Sequence, residues 1–308
     1  MEAVSRSKAV HRLAVVNAAA TVLLLVVGGL VTSKGAGLAV PDWPTTFGYN
    51  PFLYPWSLMV GNIFYEHSHR LIASAIGLLT IFLALALWLK ESRAWVRGLG
   101  AAALALVVAQ GVVGGLRVVL LEQTLAILHA CLAQAFFALA VSLAVFTSES
   151  WSGEAKRREI PDAGRLQRLA VITTGLIYCQ IVLGAVLRHS GELLMLHLFF
   201  AAAVALHAIL LSLRVWKHPA AARDLSRPAA YLGALLFAQL ALGLGAYVAK
   251  FVMMLPPSLT LTFRTGHVVV GALMLAASLV LTLRSFRFFA RPGSEVVVVP
   301  RGTEGVSA

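Results

Sequence analysis

Eight apolar stretches, each long enough to cross a lipid bilayer, constrain this chain more than any other feature of its sequence. A transmembrane helix needs roughly 20 apolar residues. We predict such spans at residues 10–32, 67–89, 97–120, 124–147, 167–187, 193–215, 229–252 and 260–283. The chain is 59% hydrophobic and only 12% charged, which excludes an ordinary soluble domain. The sequence therefore predicts an all-α membrane protein with eight transmembrane helices.

The net charge is +12, and the basic residues that cause it are concentrated on one side of the predicted membrane. Most of the basic residues fall in the two termini and in the loops after the second, fourth and sixth spans. The basic residues on the opposite side are Lys34, Arg70, Arg117, Arg188, Lys250 and Arg264. By the positive-inside rule, both termini are cytoplasmic. We predict a multi-pass protein of the bacterial cytoplasmic membrane, whose partners include membrane lipid and exclude nucleic acid.

The spans form two related sets of four. Residues 12–15 (RLAV) recur as residues 168–171, and Gly28 matches Gly184 at the same offset. A Gln-x-x-x-Gly element also recurs, and such spacing lets helices approach closely; its glutamines either pack helices together or line a cofactor pocket. We predict two pseudo-symmetric four-helix bundles: an N-terminal half (1–150), a cytoplasmic linker (151–166), a C-terminal half (167–290) and a cytoplasmic tail (291–308).

A histidine lies a few residues inside each even-numbered span, and these four spans run in the same direction. The four residues are His69, His129, His197 and His267. Imidazole is costly in hydrocarbon and is usually functional there, and two imidazoles on facing helices can ligate one iron from both sides. We therefore predict two haem sites near the outer face, with these histidines as iron ligands. The remaining histidines, which we expect outside the ligand set, are His11, His67, His189, His207 and His218.

The two halves differ beside these histidines. Glu66 lies one turn before His69, so the two side chains share a helix face. Aligning His69 with His197 places leucines, Leu194 and Leu198, where the second span has Glu66 and Arg70. A carboxylate beside a haem ligand can act as a base, although a helix-capping role for Glu66 is the alternative. The asymmetry predicts one catalytic site and one electron-transfer site.

The first outer loop, about residues 33–65, is long and rich in Gly, Pro and aromatic residues. Loops of this kind usually serve function or cover a site, and the aromatic residues also suit a membrane interface. Cys131 and Cys179 fall inside predicted spans, so we expect small buried side chains rather than a disulfide.

Several of these features together resemble the haem A synthase family of bacteria and mitochondria. They are the Glu66-x-x-His69-Arg70 motif, the GLAVPDWP stretch at residues 37–44, the four histidines and the paired four-helix halves. The resemblance covers about residues 10–285. Many members carry a cysteine pair in the first outer loop, and some carry another in the third. This chain has neither, so it resembles the subgroup without them.

The resemblance implies an oxidoreductase that acts on a CH group. It would oxidise a ring methyl of haem O to a formyl group through a hydroxylated intermediate, with water as the oxygen source, giving haem A for terminal oxidases. His69 and His129 would hold the substrate haem O, and His197 and His267 would hold a haem b cofactor. Glu66 would be the catalytic acid or base.

The resemblance also implies roles and partners outside this central set. Arg70 would meet a haem propionate or tune Glu66, and Arg264, one turn before His267, is a second candidate for a propionate, because the guanidinium fork suits carboxylates. The candidate protein partners are haem O synthase, oxidase assembly factors and a second copy of the chain.

Two other classes of protein remain open from the residues alone. One is a bis-histidine cytochrome b that only transfers electrons, although four histidines near one face disfavour a path across the membrane. The other is a transporter built from parallel repeats, although no broken helix or deep charged pathway is evident in the sequence.

Overall fold

Eight long helices account for nearly all of the fold. The structure, a computed structural model, describes residues 2–153 and 157–290, so the predicted tail (291–308) and part of the predicted linker lie outside the described residues. The helices are α1 (Glu2–Ser33), α2 (Gly61–Lys90), α3 (Ala94–Val119), α4 (Gln123–Phe146), α5 (Ala163–Ser190), α6 (Leu194–Lys217), α7 (Pro219–Tyr247) and α8 (Pro257–Phe288). Within the described residues, eight helices are long and apolar enough to span a membrane, which confirms the predicted all-α membrane fold.

Several helices begin earlier than the apolar stretches predicted. The helix α2 begins at Gly61 rather than at residue 67, so His69 lies more than two turns into its helix. The helix α5 begins at Ala163, inside the predicted linker, and α7 begins at Pro219, ten residues before the predicted span. Hydropathy identifies only the apolar part of a helix, which lies in the hydrocarbon of the bilayer. Polar turns such as residues 219–228 continue the helix beyond that part, and Pro is favoured at a first helical position.

The helices pack as two adjacent four-helix groups. In the first group α1, α2, α3 and α4 each contact the next helix, and α4 returns to α1; α5 to α8 repeat this arrangement. The groups meet where α1 and α4 pack against α5 and α8. A small apolar cluster fills this seam, with Leu25 of α1, Phe137 of α4 and Ala272 of α8 all buried. Each group also buries its own larger apolar cluster.

Shorter elements complete the described chain. The loop between α1 and α2 contains two 3₁₀ turns, Pro51–Leu53 and Trp56–Leu58, and a short helix, Glu149–Ser152, follows α4. A two-residue strand β1 (Arg158–Glu159) pairs in parallel with β2 (Phe289–Ala290), which joins the linker to the end of α8. Strands this short have no periodicity by which the sequence could reveal them.

The cysteines fit the prediction only in part. Cys131 is half-buried, but Cys179 is exposed on the surface of the bundle, so the expectation that both would be buried is wrong for Cys179. A small, weakly polar side chain is tolerated on a surface that faces apolar solvent, since it leaves no strong hydrogen-bonding group without a partner.

Arg188, in the last turn of α5, joins the two groups of helices. Its Nη2 donates to the Gly29 carbonyl at 2.9 Å and to the Ser33 hydroxyl at 2.7 Å, both in the last turns of α1. Its Nη1 donates to the Arg264 carbonyl of α8 at 3.2 Å. The C-terminal end of a helix carries partial negative charge, so the guanidinium is placed where α1 favours a cation.

We expect the Arg188→Leu variant to lose about 2 kcal/mol of stability, because hydrogen bonds made by a charged donor are lost at a buried seam. Thermal unfolding in detergent micelles measures this loss. Arg168→Leu is the matched control, since Arg168 lies on the same helix but is exposed. Equal losses in the two variants would contradict a specific role for Arg188 in joining the halves.

Candidate functional site

The four histidines form two pairs, one in each group of helices. The ring centroids of His69 on α2 and His129 on α4 are 6.4 Å apart. Those of His197 on α6 and His267 on α8 are 6.3 Å apart. Each pair joins diagonal helices of its own group, which do not follow one another around the ring of contacts. The two near-identical separations place equivalent pairs of imidazole rings in the two halves.

This spacing fits an iron atom held between two imidazoles. Imidazole nitrogens bind first-row metal ions at about 2 Å, so two rings on opposite sides of one metal have centroids about 6 Å apart. Within residues 2–153 and 157–290, no group of three or more His, Cys, Asp or Glu side chains is placed to hold a metal ion. Two imidazoles alone are an incomplete ligand set, and a porphyrin supplies the four further nitrogens. The residues at both pairs therefore fit a bis-histidine haem.

Each histidine lies against a glycine of the preceding helix. A Cβ at Gly114 would lie 2.8 Å from His129 Cε1, and one at Gly243 would lie 2.8 Å from His267 Cε1. At Gly28 the distance to His69 Cε1 would be 3.1 Å, and at Gly184 the distance to His197 Cε1 would be 3.1 Å. Glycine is therefore needed at these positions so that the helix backbone can approach the imidazole. The sequence had indicated close helix approach here, but not that the histidines were the neighbours.

Glu66 is buried beside the first histidine pair. Only 4% of its surface is exposed, and its Oε2 accepts a hydrogen bond from the Val40 backbone N–H at 2.9 Å. Its Oε1 forms an ion pair with Arg70 Nη2 at 2.8 Å. Glu66 lies in the second turn of α2, and its carboxylate bonds a residue of the loop rather than free N–H groups at the start of its own helix, as a cap would. The alternative capping role therefore does not match its contacts.

Arg70 is fully engaged with the loop between α1 and α2. Its Nη1 donates to the carbonyls of Asp42 and Thr45, at 2.7 and 3.0 Å. Its Nη2 donates to the Val40 carbonyl at 3.0 Å as well as to Glu66. Of the two roles expected for Arg70, these contacts support the one beside Glu66 and leave few donors for a propionate.

The same loop is folded onto the histidine end of the bundle, where α1 connects to α2. Asp42 accepts hydrogen bonds from the Thr45 hydroxyl and from the N–H groups of Phe47 and Gly48. Burial acts to raise the pKa of Asp42, but these hydrogen bonds outweigh it and hold the pKa below its usual value. The motif that sequence analysis singled out at residues 37–44 thus gives the loop a defined shape over Glu66.

His67 and Trp43 anchor the loop to the helices. His67 is buried, its Nδ1 lies 3.1 Å from the Thr46 hydroxyl, and its ring packs against Tyr54 with centroids 5.0 Å apart. Trp43 packs on Gly115 of α3, where a Cβ would collide with the indole. Neither side chain belongs to a histidine pair, and both hold the loop in place.

Two further arginines lie near the pairs. The Arg264 carbonyl accepts a hydrogen bond from Arg188, while among the described residues no polar group contacts the Arg264 side chain, so its guanidinium is available to an acidic ligand near His267. Arg117, which the sequence analysis had not singled out as a site residue, lies one turn after Gly114 and donates to the Gly37 carbonyl at 3.2 Å. Arg117 lies three residues after Gly114, so both share a helix face, and this spacing could have indicated that Arg117 lies near the histidine pair.

The remaining histidines lie apart from the two pairs. His207 Nδ1 lies 2.9 Å from the Ala203 carbonyl of its own helix. His11 contacts the Thr147 hydroxyl and His218 lies beside Asp162, both at the other end of the bundle. His189 lies in the last turn of α5, and its carbonyl accepts a hydrogen bond from Gln123.

Eight membrane helices with a pair of facing imidazoles in each half define a multi-helix membrane protein with two candidate metal-binding pairs. Comparison with known proteins narrows this class. Residues 57–199, which include Glu66, His69 and His129, match the model of a family described as cytochrome oxidase assembly protein. The match covers a little less than half of the chain.

A relative gives a more particular likeness. The chain is 28% identical over 191 residues to the heme A synthase of Shouchella clausii (strain KSM-K16). The match covers 61% of this chain and 62% of the relative, so it spans about three fifths of either protein. The resemblance to the haem A synthase family that the sequence predicted is thereby confirmed, while the subgroup without loop cysteines stays a prediction.

We expect Gly114→Ala to weaken haem binding in the N-terminal half by about tenfold, because the new methyl displaces His129 from its position against α3. Haem content of the purified protein, measured by pyridine haemochrome absorbance, checks this. Gly111→Ala on the same helix is the matched control, since a Cβ there meets nothing within 4 Å. Equal haem loss in both variants would show that the effect comes from helix α3 in general.

We expect the loop to lose order in acid through protonation of Asp42. Because its folded-state pKa lies below the usual 3.8, the stabilisation is fully present above that value and is lost as pH falls through the lower, folded-state pKa. Hydrogen exchange of residues 46–50, corrected for the intrinsic effect of pH, should show this change. Asp42→Asn should exchange rapidly already at pH 6, while Asp162→Asn, at the other end of the bundle, should match the unmodified protein.

Proposed function

We propose that this protein is a haem A synthase, which oxidises a ring methyl of haem O to the formyl group of haem A. The observation that carries the proposal is the buried carboxylate of Glu66 beside one histidine pair and its absence beside the other. The positions equivalent to Glu66 and Arg70 in the C-terminal half are leucines, Leu194 and Leu198. The family match and the heme A synthase relative support the same assignment.

The reaction releases protons, so a group that accepts them is required. Converting a methyl to a formyl group with water as the oxygen source releases four protons and four electrons. A base beside the substrate is therefore needed, and Glu66 supplies the carboxylate nearest His69 in sequence. Its Oε1 lies 2.8 Å from Arg70 Nη2, and this ion pair holds the carboxylate in place.

In this proposal the N-terminal half holds the substrate. His69 and His129 bind the iron of haem O from both sides and leave it no position for oxygen. Removal of four electrons by an external electron acceptor and attack of water on the methyl carbon, by way of a hydroxylated intermediate, then account for the product. The loop over Glu66 limits access of bulk water, so the protons leave through the carboxylate.

The C-terminal half holds a haem b cofactor in this proposal. His197 and His267 would bind its iron, and Arg264 would meet one propionate. A bis-histidine haem b supplies one-electron transfer when it is bound. The leucines that replace Glu66 and Arg70 here provide neither acid nor base, which suits a site that carries electrons without performing proton transfer.

The orientation follows from the charge pattern. With both termini cytoplasmic, the histidine end faces the outer side of a bacterial cytoplasmic membrane. Haem O arrives from the membrane, and haem O synthase and oxidase assembly factors are the proposed protein partners. Their docking would use the basic cytoplasmic loops.

We expect Glu66→Gln to keep both haems bound but to reduce conversion by about 100-fold or more, because the amide cannot accept the proton. The test extracts haems from protein purified from cells that also make haem O, and identifies them by chromatography and mass. Glu192→Gln, an exposed acid near the other pair, is the matched control. Normal haem A production by Glu66→Gln would contradict the assignment of Glu66 as the catalytic base.

The unmodified protein tests the function itself in the same assay. Haem b together with haem O, haem A or a hydroxylated intermediate supports the synthase. Haem b alone, despite available haem O, would instead favour an electron-carrying cytochrome b. Absence of any haem would favour the transporter.

A further inference from the structure

Arg117, in the last turn of α3, lies between the first histidine pair and the loop that connects α1 to α2. It follows Gly114, the glycine that His129 contacts, by three residues, so the two share a helix face. Helical rise places it about 4.5 Å nearer the outer end of α3 than Gly114. Its Nη2 donates to the Gly37 carbonyl of the loop at 3.2 Å. A Cβ at Gly37 would collide with the guanidinium, so glycine is needed there to admit it.

The Arg117 guanidinium has donors that the chain does not use. A guanidinium presents a fork of several N–H donors, and within residues 2–153 and 157–290 the acceptor that Arg117 contacts is the Gly37 carbonyl alone. Arg70, by contrast, donates to three loop carbonyls and to Glu66. The Arg117 side chain is partly buried, and charges removed from water are normally paired. The free donors therefore point to an anionic ligand.

The carboxylates near Arg117 are engaged with other groups. The oxygens of Glu66 accept hydrogen bonds from the loop backbone and from Arg70. Those of Asp42 accept three hydrogen bonds within the loop itself. In the part of the chain that the structure describes, no acidic side chain forms an ion pair with Arg117. An anion from outside the chain is therefore the partner that this guanidinium lacks.

Arg117 is not part of the repeat between the two halves. In the C-terminal half, Ala246 occupies the position three residues after the glycine of α7 that contacts a histidine. Conversely, Arg264 of α8 has Ala126 as its equivalent on α4. Each half thus places an arginine with unused donors near its histidine pair, but on a different helix. The two halves would therefore hold an acidic ligand in different orientations.

We propose that Arg117 binds a propionate of the haem held between His69 and His129, and that this contact selects the ring methyl that meets Glu66. The planar fork of the guanidinium matches a carboxylate, which it binds through two parallel hydrogen bonds. The inference rests on the proposed function for the identity of the ligand. It makes Arg117 a specificity-determining residue for the first site.

The selection of a methyl follows from where Arg117 and Glu66 lie. Both contact the same short segment of the loop, Arg117 at the Gly37 carbonyl and Glu66 at the Val40 N–H. In haem O, as in haem b, each pyrrole ring that bears a propionate also bears a methyl. Arg117 would therefore bring a methyl of the propionate-bearing ring toward Glu66. Two axial imidazoles alone leave the porphyrin free to turn about the axis through the iron, so other methyls would also reach the carboxylate.

The first experiment measures binding rather than conversion. The full-length protein in detergent micelles is depleted of haem with excess apomyoglobin. It is then titrated with haem b or with haem b dimethyl ester, and the absorbance of bis-histidine haem reports how the two sites fill. We expect Arg117→Gln to weaken the binding of haem b at one site by about tenfold, because a charge-assisted contact is lost. Binding of the ester, which has no carboxylate, should not change at either site.

The ester separates propionate binding from a role in fixing the loop. If Arg117 only held the loop at Gly37, the variant would weaken haem b and its ester equally. Arg117→Lys, which keeps the charge but not the fork, should recover part of the affinity for haem b. Lys34→Gln is the matched control, since Lys34 is an exposed cation on the same outer side, and neither porphyrin should bind it differently. Equal weakening of both porphyrins, or no weakening of haem b, would overturn the proposal.

The second experiment identifies which methyl is oxidised. Haems are extracted from cells that make haem O together with Arg117→Gln, separated by chromatography, and the substituted ring position is assigned by nuclear magnetic resonance. We expect oxidation at more than one methyl, and the single product of the unmodified protein would refute methyl selection by Arg117. If the unmodified protein makes no haem A, the proposed function and the methyl selection both fail. The titration still decides whether Arg117 binds a propionate.

Discussion

The distance between paired imidazoles depends on how closely neighbouring helices approach, and that approach is set at four glycines. Where Gly28, Gly114, Gly184 and Gly243 lack a side chain, the imidazole of the next helix lies directly against the backbone. The ring pairs then meet at 6.4 and 6.3 Å, which leaves room for one iron between them. A polar ring in a membrane needs such an enclosure, because hydrocarbon cannot satisfy its nitrogen atoms.

The two halves depart from one another around a single pair of equivalent histidines. His129 and His267 have matching surroundings, with a glycine and a glutamine on the preceding helix. His69 and His197 do not, because Leu24, Glu66 and Arg70 in the first half stand opposite Gln180, Leu194 and Leu198 in the second. A repeat that varies on one side only keeps the paired imidazoles while changing the groups beside one of them. This division explains how one scaffold serves both a substrate site and a cofactor site in the proposed function.

The loop between α1 and α2 covers Glu66 and Arg70, the two residues that differ from the second half, and so encloses the site. Arg70 bonds three loop carbonyls, and Glu66 accepts the Val40 N–H, so the ion pair joins helix and loop together. Asp42 accepts hydrogen bonds from nearby N–H groups of the loop, and His67 of α2 contacts the Thr46 hydroxyl. The acidic residue is therefore placed by contacts that span two distant parts of the chain.

The sequence by itself determined the eight membrane helices, the four histidines at one end and the departure of Glu66 from the repeat. Hydropathy, depth and alignment of the halves are local properties of each segment, so no contact had to be known. The tertiary structure decided that glycines of the preceding helices contact the histidines and that Arg70 binds loop carbonyls. It also showed Cys179 to be exposed and Arg188 to bridge α1, α5 and α8. These features depend on the rotation of each helix and on the path of the loop, which arise only when separate segments pack against one another.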